Sequence, residues 1–270
     1  MYYVLGREDE ARRLALQLYR VEPDPHDRAS VLVELLRPDA RPPAPGSVVK
    51  LFEPIDWHRP GEFHSALALG LARTRANQVE AGIDQLRRVV QDHADRVEAW
   101  DCLLTGLDES GQVEFMGVEL ERLPTALSQS PRLFKHRARL AQNGNRWNEA
   151  VDLYRRARTA EPYNRVVEYR LGRTLRPIGG TAEADRIEQR IRRRDVAIQE
   201  LRPLYDQATA TTDLGIRPHP ELYQRIADAR ERMQLLEEAR AWRRLVLGND
   251  PKNIISLAAL VRLENEGVPQ

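Results

Sequence analysis

PRLFKHRARLAQNGNRWNEAVDLYRRARTAEPYN, residues 131–164, is the stretch that decides the fold. It holds two patterns of helical period separated by Asn143-Gly144-Asn145, and it closes on Pro162. Ala138 and Ala150 stand twelve positions apart, one in each half. Antiparallel helices approach closely only where each presents a residue without bulk, so this pair predicts the contact point of a helical hairpin. The spacing returns at Gly70/Gly82 and Gly172/Ala184 on one 34-residue grid, and at Ala227/Ala239 in a shifted register. A supersecondary unit of this length, copied along a chain, is the mark of a helical-repeat solenoid.

Set against the pattern W-x2-L-G-x2-Y…A-x3-F…P, the residues Phe134, Ala138, Gly144, Trp147, Ala150, Tyr154, Ala157 and Pro162 make this unit resemble a tetratricopeptide repeat. Residues 63–96 match through Leu69-Gly70, Gly82 and Leu86, and residues 220–253 through Tyr223, Ala227, Ala239 and Asp250-Pro251. The resemblance covers nearly the whole chain. It implies an all-α fold, a right-handed α-α superhelix of antiparallel hairpins, here a single solenoid over 1–270. The expected units are 1–23 (partial), 24–62, 63–96, 97–130, 131–164, 165–219 with an elongated second helix, 220–253, and a capping helix over 254–265.

Departures from the pattern are informative. Residues 97–130 keep Trp100 and Leu103, place the turn glycine Gly111 one position late, and replace the small pair by Leu104 and Met116. Two bulky residues there predict a wider separation of the helices. The next unit keeps Leu171-Gly172 and Ala184, with Pro177-Ile-Gly-Gly180 as its turn and Thr181 as a candidate N-cap. The interval from Ala184 to Ala239 exceeds one repeat by twenty-one positions. Ile187, Ile191, Ile198, Leu201 and Tyr205 recur at helical spacing through a stretch without glycine whose only proline is Pro203. That pattern predicts one helix from Thr181 to about Ala208 projecting from the solenoid, then a loop through Gly215. At the other end, Gly6, Ala11, Leu18 and Pro23 fit the second helix of a repeat, so the chain is expected to begin inside a repeat and to be cut from a longer protein. A helix around 26–37, a proline-rich loop over Pro38–Pro45 and a helix around 47–57 closing at Pro60 follow. The last helix, Ile254 to Glu264, is expected to turn Leu257, Leu260 and Leu263 inward.

Composition excludes several functions. The 270 residues carry a net charge of +1, so no global field draws nucleic acid or an anionic membrane. Cys102 is the only cysteine, which rules out an internal disulfide or a Cys-based zinc cluster and predicts a buried side chain. No apolar run approaches a membrane span of roughly 18 residues, and Met1–Gly6 lacks the features of a signal peptide, which predicts a cytoplasmic location. Bases are almost all arginine, with lysine only at 50, 135 and 252; this bias reads as high-GC bacterial base composition. The six histidines form no HExxH or i, i+4 pair, Gly179-Gly180 belongs to no phosphate-binding motif, and no serine lies in a nucleophile elbow. Catalytic residues, metal and cofactor are therefore not expected. Acids at 183, 185, 188, 195 and 200 surround the triplet Arg192–Arg194, so helical ion pairing accounts for it without a nucleic-acid partner.

One charge pattern stands out. Residues 97–130 hold seven acids against Arg122, a balance of −6, whereas residues 131–176 hold twelve bases against four acids, a balance of +8. The resemblance implies that ligands lie along a concave face lined by the first helix of each hairpin. With the fourth-place aromatic inward, the second, fifth, ninth and twelfth places face that groove. They are Glu98, Asp101, Thr105 and Asp108; then Arg132, Lys135, Arg139 and Gln142; then Val166, Tyr169, Arg173 and Arg176. The expected partner-binding residues are Arg132, Lys135, Arg139, Tyr169, Arg173, Arg176, Asp101 and Asp108, and the expected ligand is a protein or peptide with an acidic segment. The alternative is that the basic unit packs electrostatically against its acidic neighbour. Lys135 and Arg170 match two places of the carboxylate clamp found in some tetratricopeptide domains, but Arg139 and Val166 stand where that clamp needs amides. A non-catalytic protein–protein interaction scaffold is the expected function, with a regulatory or substrate-docking region of a larger enzyme as the alternative. Self-association through 181–208 or the N-terminal end is a further expectation.

Overall fold

A computed structural model describes residues 5, 8–40, 42–56, 59, 61–213 and 219–266. Among them lie fourteen α-helices and no strand: α1 (Glu8–Val21), α2 (Pro25–Ala40), α3 (Pro45–Phe52), α4 (Phe63–Arg75), α5 (Val79–Asp92), α6 (Val97–Glu109), α7 (Val113–Glu121), α8 (Phe134–Asn143), α9 (Trp147–Ala160), α10 (Arg165–Leu175), α11 (Thr181–Asp213), α12 (Pro220–Arg232), α13 (Leu236–Asn249) and α14 (Ile254–Glu266). The fold is all-α and built of tetratricopeptide-like antiparallel hairpins. Packing divides the chain into two compact units. Unit 1 takes Pro43–Glu188 with the described residues up to Asp9, and unit 2 takes Glu10–Pro42 with Gln189 onward.

Unit 1 contains the hairpins α4/α5, α6/α7 and α8/α9, then α10 with the start of α11. The turn inside each hairpin repeats one backbone solution. Asn77, Gly111, Asn145 and Gly179 have φ of 65°, 77°, 56° and 79°, and each follows the one before by a single repeat. Behind each, the next amide reaches five residues back: Gln78 to Arg73 (2.8 Å), Gln112 to Leu107 (2.8 Å), Arg146 to Ala141 (2.9 Å) and Gly180 to Leu175 (3.0 Å). These are Schellman closures, which satisfy carbonyls left open at a helix C-terminus. Gly111 is therefore in register. It looks one place late only when aligned with Gly144, and the left-handed residue of that turn is Asn145.

The small pairs lie at the helix contacts. A Cβ added to Gly82 would stand 2.4 Å from Thr74 Oγ1 and 2.7 Å from the Gly70 carbonyl oxygen, so α4 and α5 meet backbone to backbone. Ala138 and Ala150 are fully buried. Leu104 and Met116 are also fully buried, and α6 packs less extensively on the nine-residue α7 than the partners in the other intact hairpins do on each other. Leu67, Leu69, Leu71, Leu86, Leu103 and Leu104 form the centre of the unit's core.

In unit 2, α12 and α13 form a hairpin whose left-handed turn residue is Gln234, φ 62°, closed by the Leu235 amide on Arg230. Gln234 follows Gly179 by one repeat and the same excess that separates the small pairs. The insertion is absorbed by α11, a helix of 33 residues that runs on through Pro203. It does not stand free of the packing, contrary to the expectation of a projecting helix: Ala197, Leu201, Leu204, Tyr205 and Ala208 are all buried. The expected loop at Gly215, like Gly6, His58 and Pro60, lies outside the described residues.

Three boundaries differ from the expectation. Helix α2 continues through Pro38 to Ala40, which carries Asp39 into its last turn. Helix α3 starts with Pro45 at its first turn, where a missing N–H costs nothing, and ends at Phe52 rather than 57. In α14, Leu260 and Leu263 are buried but Leu257 is 45% exposed, so it does not face inward.

Unit 2 also holds α1 and α2 against the α12/α13 hairpin. The Tyr19 hydroxyl donates to the Ala241 carbonyl at 3.2 Å, and Arg20 pairs with Glu237 at 3.0 Å. Between these helices lies a buried quartet. Arg12 pairs with Glu238 and, at 3.0 Å, with Asp39; Arg230 pairs with Asp39 and, at 3.0 Å, with Glu238. Burial would raise the Asp39 carboxyl, but Arg230 and Arg12 outweigh it and hold the group well below the ordinary carboxylate range.

Candidate functional site

Four helices of unit 1, each the first of its hairpin, line a cleft of about 290 Å³. Helix α4 gives Arg75; α6 gives Thr105, Asp108 and Glu109; α8 gives Lys135 and His136; α10 gives Val166, Val167 and Arg170. Tyr154 of α9 closes the floor, and Asn164 and Arg165 stand at the start of α10. Asn164 caps that helix, its Oδ1 accepting from the amides of Val166 (3.1 Å) and Val167 (3.2 Å).

The charges are organised by the repeat. The Lys135 ammonium lies 3.0 Å from Asp101 and 2.9 Å from Glu161, and His136 Nε2 lies 2.8 Å from the same Asp101 carboxylate. Burial opposes the charge on Asp101, yet Lys135 and His136 hold its carboxyl well below the usual range. Burial likewise opposes the charge on Lys135, and Asp101 with Glu161 pushes its ammonium above the usual lysine range. Asp108 accepts from Arg139 Nε at 3.1 Å and binds Arg170 through both guanidinium nitrogens, one of them at 3.1 Å. Arg75 clasps Glu109 with Nε at 2.7 Å and Nη2 at 2.8 Å. Burial raises the Tyr154 phenol to about 12 against the lowering effect of Arg170, and its hydroxyl donates to Gln142 at 3.0 Å. Beside Asp101, the Cys102 thiol is driven upward by burial first and by that carboxylate second, which keeps it unreactive.

The structure thus brings Asp101 to Lys135 and Asp108 to Arg139, joining the acidic segment to the basic one. Asp108 and Lys135 line the cleft, with Asp101 behind Lys135. The other expected residues lie elsewhere. Tyr169 is 52% exposed on α10, and Arg173 sits 5.9 Å from its ring centroid. Arg176 pairs with Asp185 (3.1 Å) and Glu188 (2.8 Å) on α11. Arg132 precedes α8 and does not line the cleft. His136 and Arg170 belong to the cleft but not to the groove set expected from the sequence. Both occupy the sixth place of their hairpins, one repeat apart, and that recurrence was the available signal. Glu161 and Asn164 lie in the connection between hairpins and left none. Among the described residues no group of His, Cys, Asp or Glu has the arrangement to hold a metal ion, and no helix is long and apolar enough to cross a membrane.

No family model and no curated protein matches the chain. Among solved structures, the chain is similar to one in the APC/C hetero-tetramer Cut9–Hcn1, at 12% identity and a TM-score of 0.32. That match covers 97% of this chain and 53% of the other, so this chain spans about half the length of its counterpart. It is also similar to MamA (MSR-1, C2), at 17% identity and a TM-score of 0.21, with 97% and 99% of the two chains covered.

Proposed function

We propose that this protein is a non-catalytic interaction scaffold whose unit 1 cleft receives a peptide segment of a protein partner. The cleft itself carries the reading: successive hairpins aim arginine, lysine, valine and tyrosine side chains into one opening, the mixture that suits an amphipathic segment better than a small reactive substrate. Its cations are held in place by carboxylates, so they are preorganised, and little side-chain freedom is lost on binding. On α10, Val166 (55% exposed) at the lip and Tyr169 beside it supply apolar surface for the partner. Arg165, exposed at the start of α10, favours a carboxylate on the incoming segment.

Arg165→Glu combined with Tyr169→Ala tests this: Arg165 lines the cleft, Tyr169 stands about one turn further along the same helix, and both are exposed, so their replacement leaves the fold intact. A photo-crosslinker placed at Val166 is expected to capture a partner protein in the parent chain and to lose it in the double variant. Equal capture by both would overturn the groove assignment.

A further inference from the structure

The cleft is not bare: a segment of the same chain already touches it. Leu5 is 4% exposed and belongs to the apolar cluster of unit 1, although it precedes the first helix and belongs to none of the hairpins. Leu5, Glu8 and Asp9 line the same opening as Lys135, Tyr154 and Arg170. The Leu5 side chain thus joins the buried apolar cluster of unit 1 and lines the opening, and two carboxylates follow it at the third and fourth places, on the first turn of α1. Helix α1 has no need of Leu5: its buried positions in unit 2 begin at Ala11 and Arg12.

The geometry points to a ligand class and to an internal competitor for it. The cleft recognises a segment with an aliphatic residue followed three and four places later by carboxylates, and Leu5, Glu8 and Asp9 are the chain's own copy of that ligand, held at the cleft until a partner displaces them. This rests on the reading of the cleft as a peptide site and names what that site selects. A site filled by its own chain binds an outside ligand with an affinity reduced by the fraction of time it stands open. The tethered segment is present at high effective concentration, so only a partner of higher intrinsic affinity replaces it.

A fluorescein-labelled peptide of residues 1–12 is the probe, titrated into the full chain and into its Leu5→Asp variant. Leu5→Asp withdraws the internal occupant, and the peptide is expected to bind that variant about tenfold more tightly or better. Adding Val166→Glu, which sets a carboxylate at the lip, is expected to abolish the gain. If Leu5→Asp lowers the melting temperature by unfolding unit 1, Leu5→Ala serves instead, with a smaller gain of the same sign. Equal binding to parent and variant, or none to either, overturns the inference. In that event, partner crosslinking at Val166 that persists leaves the groove as a peptide site with a different ligand, and crosslinking that is also absent removes both.

Discussion

Lys135 follows Asp101 by one repeat, and its ammonium lies 3.0 Å from that carboxylate. Arg75 and Glu109 stand in the same relationship, also one repeat apart. Equivalent places on successive hairpins stand side by side, so a charge change from one unit to the next becomes an ion pair across the seam. The acidic and basic segments are adjacent in space for this reason, and what remains for a partner is a cleft whose charges are positioned and largely balanced.

Breaking that seam is expected to cost stability. Asp101→Asn leaves Lys135 with Glu161 alone and His136 without its carboxylate; the expected loss is about 3 kcal/mol, in line with severed buried pairs. In a double-mutant cycle with Lys135→Met, followed by urea denaturation, the coupling is expected at about 1–3 kcal/mol. Additive losses would show that the pair contributes nothing beyond its separate members.

Acid should destabilise both units. Asp101 and Asp39 each have a folded-state pKa below the ordinary 3.8, so their contribution is complete above that value and shrinks as pH falls below it, where the unfolded chain takes up protons first. Asp39→Asn is expected to lower stability at neutral pH and to flatten its decline in acid, measured by denaturant midpoints across the acid range. At the alkaline end, Tyr154 is raised from 10.0 to about 12, so its contribution is complete below 10.0 and is lost as pH rises through about 12. Phenolate absorbance of the folded protein would detect the delayed ionisation.

The hairpin contacts tolerate no added bulk. Ala150→Leu is expected to overpack α8 against α9 and to cost roughly 1–3 kcal/mol; an unchanged melting temperature would refute that contact. Gly82→Ala should also destabilise, because its Cβ would overlap backbone atoms of α4. The gain in helix propensity of about 1 kcal/mol does not compensate for that overlap.

Turn residues discriminate by their φ. Gln234 occupies the left-handed region at 62°, a conformation costing a non-glycine residue roughly 1–2 kcal/mol, less what glycine loses in chain entropy. Gln234→Gly is expected to stabilise by about 0.5–1 kcal/mol, while Asn145→Gly should be nearly neutral, since asparagine accepts that region. Thermal melts of the two variants make the comparison.

The quartet of unit 2 is expected to be the most sensitive site in the chain. Arg230 is fully buried, pairs with Asp39 and Glu238, and donates to the Leu35 carbonyl at 2.8 Å. Arg230→Leu leaves Arg12 as the one arginine of the quartet facing two buried carboxylates and is expected to cost about 3–5 kcal/mol, read from chemical denaturation.

Residue spacing carried the frame. Small pairs twelve positions apart, helices of repeat length and the excess after Ala184 all reappear as hairpins, turns and the long α11, because close helix approach and helical period are local demands written residue by residue. The departures have local causes too: Leu257 lies on the side of α14 away from the face that packs on α13, and Asn145 rather than Gly144 takes the left-handed turn because asparagine tolerates it.

The candidate site was legible in half. Places two, five, nine and twelve include Thr105, Asp108, Lys135 and Val166, which line the cleft, but a helical face is wider than four positions, so His136 and Arg170 at the sixth place escape that pattern. Glu161 reaches Lys135 from the connection between hairpins, where no period applies.

By itself, then, the sequence determined the repeat, its length and the elements that break it, since these follow from interactions within a single hairpin and its neighbour. Tertiary structure alone decided that Arg12 meets Glu238, and that Leu5 lines one cleft with residues between 75 and 170. Contacts between segments so far apart leave no periodic trace; they depend on which buried charges find partners and which apolar surface is left to cover once the hairpins have stacked.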